Sequence, residues 1–210
     1  YDLTTLQREA NSRFGFSAKT TLSIAQALYE KHKVLTYPRT DSKALPEDYV
    51  AVVKQTMGMI ADEDLPGPLR ALAQHARKAL NDGYVKPNKR IFDNTKVSDH
   101  FAIIPTLQAP RSLNEIEAKL YDLVVKRFLA VFYPPAEYMV TTRISKVELP
   151  AITHHFQTNG KVLVNPGWLA VYGKEAQDED ANLVPVQQGE QVRVESVDVK
   201  ALQTKPPARY

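Results

Sequence analysis

Cysteine is absent from the 210 residues of the chain, so disulfide bonds and thiolate metal sites are excluded. This composition fits an intracellular setting. No apolar run approaches the roughly 20 residues that span a bilayer. We also find no positively charged leader before an apolar stretch, so no membrane partner and no secretion signal are predicted. Hydrophobic residues make up 43% of the chain, which is enough for a packed core.

The chain also has little excess charge of either sign, because its formal net charge is only +3. This balance permits a nucleic-acid partner without requiring one. Basic residues do gather in two places, and a solvated surface is the alternative explanation for both. The clusters are Lys31, Lys33 and Arg39, and Lys86, Lys89, Arg90 and Lys96.

Residues 1–134 show helical periodicity. Leu3, Leu6 and Ala10 recur at helical spacing, Gly15 is placed to end this first helix, and Ser17 to cap a second. The pair resembles a helix-turn-helix in outline. Further helices are predicted after Pro46, around residues 69–80 and from Ser112 until Pro134-Pro135. Capping boxes are predicted at Thr4 with Gln7 and at Ser112 with Glu115.

The period then changes to two, which indicates strands. Alternation begins near Tyr138, and Asn159-Gly160 predicts a hairpin turn between residues 152–158 and 161–164. A last strand is predicted through Val192 and Val194. The fold class is therefore α+β, with a helical domain at residues 1–134 followed by an antiparallel β-rich domain, an arch or barrel portion, at residues 135–210.

The segment Leu35-Thr36-Tyr37-Pro38-Arg39-Thr40-Asp41-Ser42 carries the first chemical signal. A residue before proline is extended, and residues two apart in an extended chain project to one side. A phenol oxygen beside a guanidinium suits phosphoryl transfer, since the hydroxyl attacks phosphorus while the guanidinium holds its oxygens. A purely structural Tyr-Pro-Arg is the alternative.

A second segment runs from Ser98-Asp99-His100 through Ile103-Ile104-Pro105-Thr106. His100 can donate a hydrogen bond to a phosphate, and Asp99 beside it could favour its charged form. The alternative is a histidine packed at the edge of an apolar strand.

Together these segments resemble the two signatures of type IA DNA topoisomerases. The entry helix from Asp2 to Ala10 with Phe14-Gly15-Phe16-Ser17, and Lys205-Pro206-Pro207-Ala208-Arg209-Tyr210, resemble further segments of that family in the same order. Tyr-Pro-Arg-Thr-Asp-Ser and Ile-Ile-Pro-Thr are similar to the topoisomerase III branch. Phe101 stands where that branch usually has a second histidine, so it receives no DNA role.

The resemblance implies that Tyr37 forms a 5′-phosphotyrosine link, that Arg39 contacts the scissile phosphate, and that His100 contacts DNA phosphate nearby. It further implies a moving helical gate on a β-rich arch, and relaxation or decatenation of DNA without ATP. The implied partners are DNA, especially single-stranded DNA, and other domains of the same protein. The implied state is a monomer in the bacterial cytoplasm, associated with the nucleoid.

The family resemblance also implies Mg²⁺ bound by an acidic Toprim domain with an Asp-x-Asp-x-Glu pattern. Asp62-Glu63-Asp64 and Asp178-Glu179-Asp180 lack the closing glutamate. We therefore expect no metal ligands in this chain. Since an ordinary phenol ionises only near about pH 10, we expect the chain alone not to relax DNA. Its start at Tyr1 and its end at Tyr210 predict a piece of a longer protein.

Three other readings remain open. A non-enzymatic DNA-binding module could use the Thr4–Glu30 helix pair, and a tyrosine recombinase also has a tyrosine nucleophile. The recombinase needs several basic residues before its tyrosine, whereas only Arg8, Arg13 and His32 precede Tyr37. The third is a structural β-arch piece, in which His154 and His155 are ordinary strand residues because neighbours in a strand face opposite sides.

Overall fold

A computed structural model describes residues 1–62, 69–176 and 183–206. Its described residues form five α-helices and a two-stranded antiparallel sheet, so the predicted α+β class is confirmed. The helices are α1 (Leu3–Phe14), α2 (Ala18–Glu30), α3 (Val50–Ile60), α4 (Arg70–Asn81) and α5 (Glu115–Ala130), and the strands are β1 (Glu137–Glu148) and β2 (Thr153–Asn165). No helix in the described ranges is long and apolar enough to cross a bilayer.

The helix boundaries follow local signals, although two predicted caps are wrong. Gly15 ends α1 with φ 70°, and the Ser17 side chain accepts from the Thr20 amide at the start of α2, as predicted. The cap of α1 is Asp2, whose carboxylate accepts from the Thr5 amide, instead of Thr4.

The capping box of α5 joins Asn114 and Glu117, two residues after the predicted Ser112 and Glu115. Asparagine and aspartate cap helices as well as serine does. The cap is therefore the residue whose side chain reaches the free amides of the first turn, and the capping-box pattern alone did not identify it.

One hydrophobic core joins these helices. Its largest members are fully enclosed and include Leu6, Leu28, Met57 and Leu120. Helix α2 packs against both α1 and α5. The close-packed core therefore supports the end of α2 and the extended chain that follows it.

The two strands form a long ribbon that stands apart from the core. Strand β1 pairs with β2 along its whole length, and the chain reverses between Leu149 and Ile152, where the Leu149 amide donates to the Ile152 carbonyl at 2.9 Å. The predicted hairpin turn at Asn159-Gly160 is therefore wrong, because these residues pair with Thr142 and Thr141 in mid-strand. Cross-strand pairing over twelve residues outweighs the turn preference of one dipeptide. We call β1, β2 and the connection between them the ribbon.

After the ribbon, the chain returns to the helices. Residues Gly167–Ala176 form 3-10 turns, and Val171 and Tyr172 are buried in the helical core. The Trp168 amide donates to the Pro134 carbonyl at 3.0 Å, so the ribbon leaves and rejoins at one place. Gly167 has φ 47°, and a Cβ there would lie 2.3 Å from the Pro135 carbonyl oxygen, so only glycine fits this crossing.

We call residues 1–62, 69–133 and 167–173 the helical body. The division at residue 134 stays a prediction, and residues 167–173 pack on the first part. The predicted last strand is wrong as well: Val192 and Val194 lie in a stretch without strand structure and are exposed. Residues 207–210 of the Lys205–Tyr210 segment lie outside the described residues.

Candidate active site

The tyrosine segment is extended and lies antiparallel to the second signature. The Thr36 amide donates to the Ile104 carbonyl at 3.0 Å, and the Thr106 amide donates to the Val34 carbonyl at 3.0 Å. The Thr36 hydroxyl adds two bonds, donating to the Ala102 carbonyl at 3.0 Å and accepting from the Ile104 amide at 2.9 Å. The antiparallel bridge between Leu35 and Pro105 pairs this segment with the His100 segment, and the extended conformation of Tyr37 itself stays a prediction.

Two more hydroxyls fix the chain after Tyr37. Thr40 is buried, and its hydroxyl donates to the His100 carbonyl at 3.1 Å. Ser42 is buried too, and its hydroxyl donates to the Lys96 carbonyl at 2.6 Å. These bonds join residues far apart in sequence and hold the two signatures side by side.

Tyr37 and His100 meet directly. Their ring centroids are 4.2 Å apart with the planes tilted by 40°. Tyr37 is half-buried and His100 is exposed, so both can be reached from solvent. The Tyr29 ring contacts Tyr37 edge-on, with centroids 5.4 Å apart and planes at 80°. The nucleophile candidate therefore contacts two aromatic rings.

Arg39 is placed differently. Pro38 is buried, and Arg39 after it is exposed and makes no hydrogen bond, ion pair or ring contact with any described residue. Of the three predicted site residues, the structure brings Tyr37 and His100 together and leaves Arg39 exposed two residues after Tyr37. A guanidinium without a protein partner keeps all its donors for a ligand.

The two basic clusters differ in how far they are neutralised. Lys89 pairs with Glu47 at 2.5 Å, and Lys96 pairs with Asp93 at 2.9 Å. By contrast, Lys31, Lys33 and Arg39 make no ion pair within the described ranges. The Lys33 ammonium lies 5.7 Å from the centroid of the Tyr29 ring. Two of the four basic residues in the second cluster are therefore neutralised by a carboxylate, whereas none of the three at the tyrosine segment is neutralised by a described residue.

A turn at Asp93 supports the Ser42 contact. Asp93 accepts from the Thr95 hydroxyl at 2.6 Å and pairs with the Lys96 ammonium. The hydrogen bond from Thr95, followed by the bond to Lys96, lowers the pKa of Asp93 to about 2. The turn thereby fixes the Lys96 carbonyl that receives Ser42.

A groove of about 390 Å³ opens beside the tyrosine segment. Its lining includes Lys33, Thr36 and Tyr49, and also Thr106, Leu107 and Gln108. Thr36 lines the groove and Tyr37 does not.

Sequence reasoning missed Tyr29 and the hydroxyl clamps. Thr36, Thr40 and Ser42 surround Tyr37 in sequence, and this density of hydroxyls was the available signal. Their partners lie 54 to 68 residues away, so the contacts themselves could not be read from the pattern.

The described residues offer no fit for magnesium. No group of three or more His, Asp or Glu side chains that could hold a metal occurs in residues 1–62, 69–176 and 183–206. Residues 63 and 64 of the first acidic run and residues 178–180 of the second lie outside the described residues.

Comparison with known proteins identifies the family that this fold and site define. The family model described as DNA topoisomerase matches residues 1–210. The chain belongs to the DNA topoisomerase family, of type IA, which confirms the resemblance drawn from the two signatures.

Within the family, the chain is similar to proteins named DNA topoisomerase 3. It is 44% identical over 218 residues to the one from Bacillus licheniformis and 42% identical over 219 residues to the one from Bacillus subtilis. Both matches cover 100% of this chain and 28% of the relative. The chain thus spans little more than a quarter of the curated relatives it matches.

A solved structure shows the same fold. Full-length topoisomerase I from Thermotoga maritima superposes with a TM-score of 0.58 at 24% identity, covering 90% of this chain and 29% of that one. At this identity the likeness supports the α+β architecture.

Proposed function

We propose that this chain is the part of a DNA topoisomerase that carries the nucleophile, and that Tyr37 cleaves one DNA strand. The observation that carries this proposal is the placement of Tyr37. Its ring is accessible, stacked on His100 at 4.2 Å, and mounted on an extended segment that three hydroxyl groups fix to the second signature. A core tyrosine needs no such mounting.

In the proposed reaction the Tyr37 oxygen attacks a backbone phosphorus. The new bond joins the phenol oxygen to the 5′-phosphate, and the bond from phosphorus to the 3′-oxygen breaks. The phenol loses its proton and the leaving 3′-oxygen gains one, so the products are a 5′-phosphotyrosine and a free 3′-hydroxyl. The ester keeps the energy of the broken bond, and the 3′-hydroxyl can reverse the step without ATP.

Arg39 and His100 serve the phosphate in this scheme. The free guanidinium of Arg39 donates to the non-bridging oxygens, on which negative charge builds during attack. The His100 ring contacts Tyr37 and is exposed, so it is placed to donate to a phosphate that reaches Tyr37. The unpaired Lys31 and Lys33 would add attraction for the DNA backbone.

In the whole protein, we propose that strand passage through this break relaxes or decatenates DNA. The proposed substrate is DNA, especially single-stranded DNA. The magnesium ion that the resemblance implies would be bound by an acidic domain outside this chain, so the chain alone would not relax DNA. The proposed setting is a monomer in the bacterial cytoplasm, at the nucleoid.

The test is Tyr37→Phe in the whole protein, assayed for cleavage of a single-stranded oligonucleotide and for relaxation of supercoiled plasmid. We expect both activities to be lost, since phenylalanine keeps the ring and lacks the attacking oxygen. Tyr138→Phe on the ribbon makes the same chemical change away from the site and should retain both. Cleavage by Tyr37→Phe at the wild-type rate would refute the proposal.

Labelling each end of the oligonucleotide separates the mechanisms. We expect the fragment on the 5′-phosphate side of the break to remain attached to protein. Attachment through a 3′-phosphate would favour a tyrosine recombinase. Binding without any cleavage by the wild-type protein would favour a DNA-binding module.

A further inference from the structure

Tyr29 is the closest aromatic neighbour of Tyr37 besides His100 in the described part of the chain. The two rings are perpendicular with centroids 5.4 Å apart, and the centroid of His100 lies 4.2 Å from that of Tyr37. The Tyr29 separation is typical of an edge-to-face aromatic contact, and the His100 ring lies closer still. Tyr37 therefore contacts a ring from α2 and a ring from the second signature.

The helix fixes Tyr29 more firmly than a loop would. Tyr29 lies in the last turn of α2, directly after the fully buried Leu28. The Val34 amide donates back to the Leu28 carbonyl at 2.9 Å, so the chain reverses at once and runs past Tyr29. A ring on a packed helix is a more precise support than one on a mobile segment.

The reversal itself is locked at Lys33. This residue has φ 58°, the only positive φ of a non-glycine residue in the described ranges. The Thr106 hydroxyl donates to the Lys33 carbonyl at 2.6 Å, and the Lys33 ammonium lies 5.7 Å from the Tyr29 ring centroid. A strained backbone held by a second segment shows that the path from Tyr29 to Tyr37 is over-determined by its surroundings.

We propose that Tyr29 is a positioning residue for the cleavage reaction. Its ring contact, together with that of His100, restrains the Tyr37 ring, so that the phenol oxygen meets the phosphate in one orientation. A half-exposed tyrosine without this support would sample several rotamers, and attack requires reacting atoms about 3–3.5 Å apart and aligned. The contact needs an aromatic ring and does not need the Tyr29 hydroxyl. This inference rests on the proposed role of Tyr37.

The experiment compares Tyr29→Leu with Tyr29→Phe in the whole protein, using single-turnover cleavage of a single-stranded oligonucleotide. We expect Tyr29→Leu to lower the cleavage rate at saturating DNA about 10- to 100-fold. Oligonucleotide affinity should stay within about twofold, since Tyr29 acts on the nucleophile and not on DNA binding. Tyr29→Phe should restore the wild-type rate.

Two further variants keep the outcome interpretable. Tyr29→Met fills the space with a flexible apolar chain and replaces Tyr29→Leu if the latter fails to fold. Tyr84→Leu removes a different edge contact, that with Tyr133 at 5.1 Å, and should leave cleavage unchanged. A wild-type rate in a folded non-aromatic variant, or an equal loss in Tyr29→Phe, would overturn the inference.

Tyr37→Phe measured in parallel separates the two proposals. If it still cleaves, the proposed function fails. If it is inactive while Tyr29→Leu cleaves normally, only the positioning role fails.

Discussion

The helical body and the ribbon differ in how they treat their apolar side chains: the body buries them and the ribbon exposes them. The body buries nearly all its large apolar side chains around one core, and Leu6 and Leu28 have no exposed surface. The ribbon exposes apolar side chains along both strands, with Val140 at 65% and Phe156 at 57%. Backbone pairing from Glu137 to Asn165 is almost all that shapes it.

This contrast shows where precision is required. The tyrosine segment lies on the body, where long-range hydrogen bonds and core packing hold each side chain in place. The ribbon bears none of the predicted site residues. We therefore expect the same substitution to have different effects in the two regions, on stability and on cleavage.

The largest difference is expected for isoleucine truncation. Ile24 on α2 is 5% exposed, whereas Ile144 on β1 is 55% exposed. Ile24→Ala should destabilise the body by about 2–5 kcal/mol, because it removes buried methyl groups and leaves a cavity. Ile144→Ala should change the stability of the body by less than about 0.5 kcal/mol. Hydrogen exchange of the body amides in the whole protein measures both.

Equal destabilisation of the body by these two variants would remove the distinction. It would mean that the ribbon side chain is covered by other parts of the whole protein and contributes to the same cooperative unit.

A smaller difference is expected for threonine hydroxyls. Thr36→Val leaves the Ile104 amide and the Ala102 carbonyl without their side-chain partner, which should cost about 1–3 kcal/mol. Cleavage should fall too, since these bonds align the two signatures. On the ribbon, the Thr142 hydroxyl donates to the side chain of the exposed Asn159, so Thr142→Val is the matched control. Thermal unfolding and oligonucleotide cleavage are measured for both, and a loss confined to Thr142→Val would contradict the clamp.

The smallest effect concerns acid. The folded pKa of Asp93 is about 2, below the ordinary value of about 3.9, because Thr95 and Lys96 bind its carboxylate. A lowered pKa stabilises the fold above the unfolded pKa, and this contribution is lost as pH falls from about 4 to about 2. Asp93→Asn should therefore reduce the stability difference between pH 6 and pH 3.

The ribbon again supplies the control for the acid experiment. The bond from Lys146 lowers the pKa of Glu148, and both side chains of this pair are more than half exposed. Glu148→Gln should leave the acid response of the body unchanged. If Asp93→Asn also leaves the acid response of the body unchanged, the bonds from Thr95 and Lys96 to Asp93 do not stabilise the turn that supports the site.

Sequence patterns predicted those features of the fold that depend on residues close together in the chain. Gly15 acts through its own backbone and Ser17 through its side chain on an amide three residues later, and both behave as expected. Asn159-Gly160 misled because its turn preference is local, while the pairing that overrides it involves the other strand. Tyr37 and His100 could be named from their signatures, but their stacking depends on contacts across more than sixty residues. Tyr29 gave no signal, because a tyrosine on the apolar side of a helix looks like ordinary packing.

The junction at Pro134 and Gly167 gives the ribbon an unusual freedom. Its exit lies against its entry, and the tight fit around Gly167 seals the two ends together. An antiparallel pair closed in this way can gain or lose residues in matched couples at its far tip without moving either base. The length of the ribbon is thus independent of the position of Tyr37. The ribbon can therefore become longer or shorter without a change at the proposed site of cleavage.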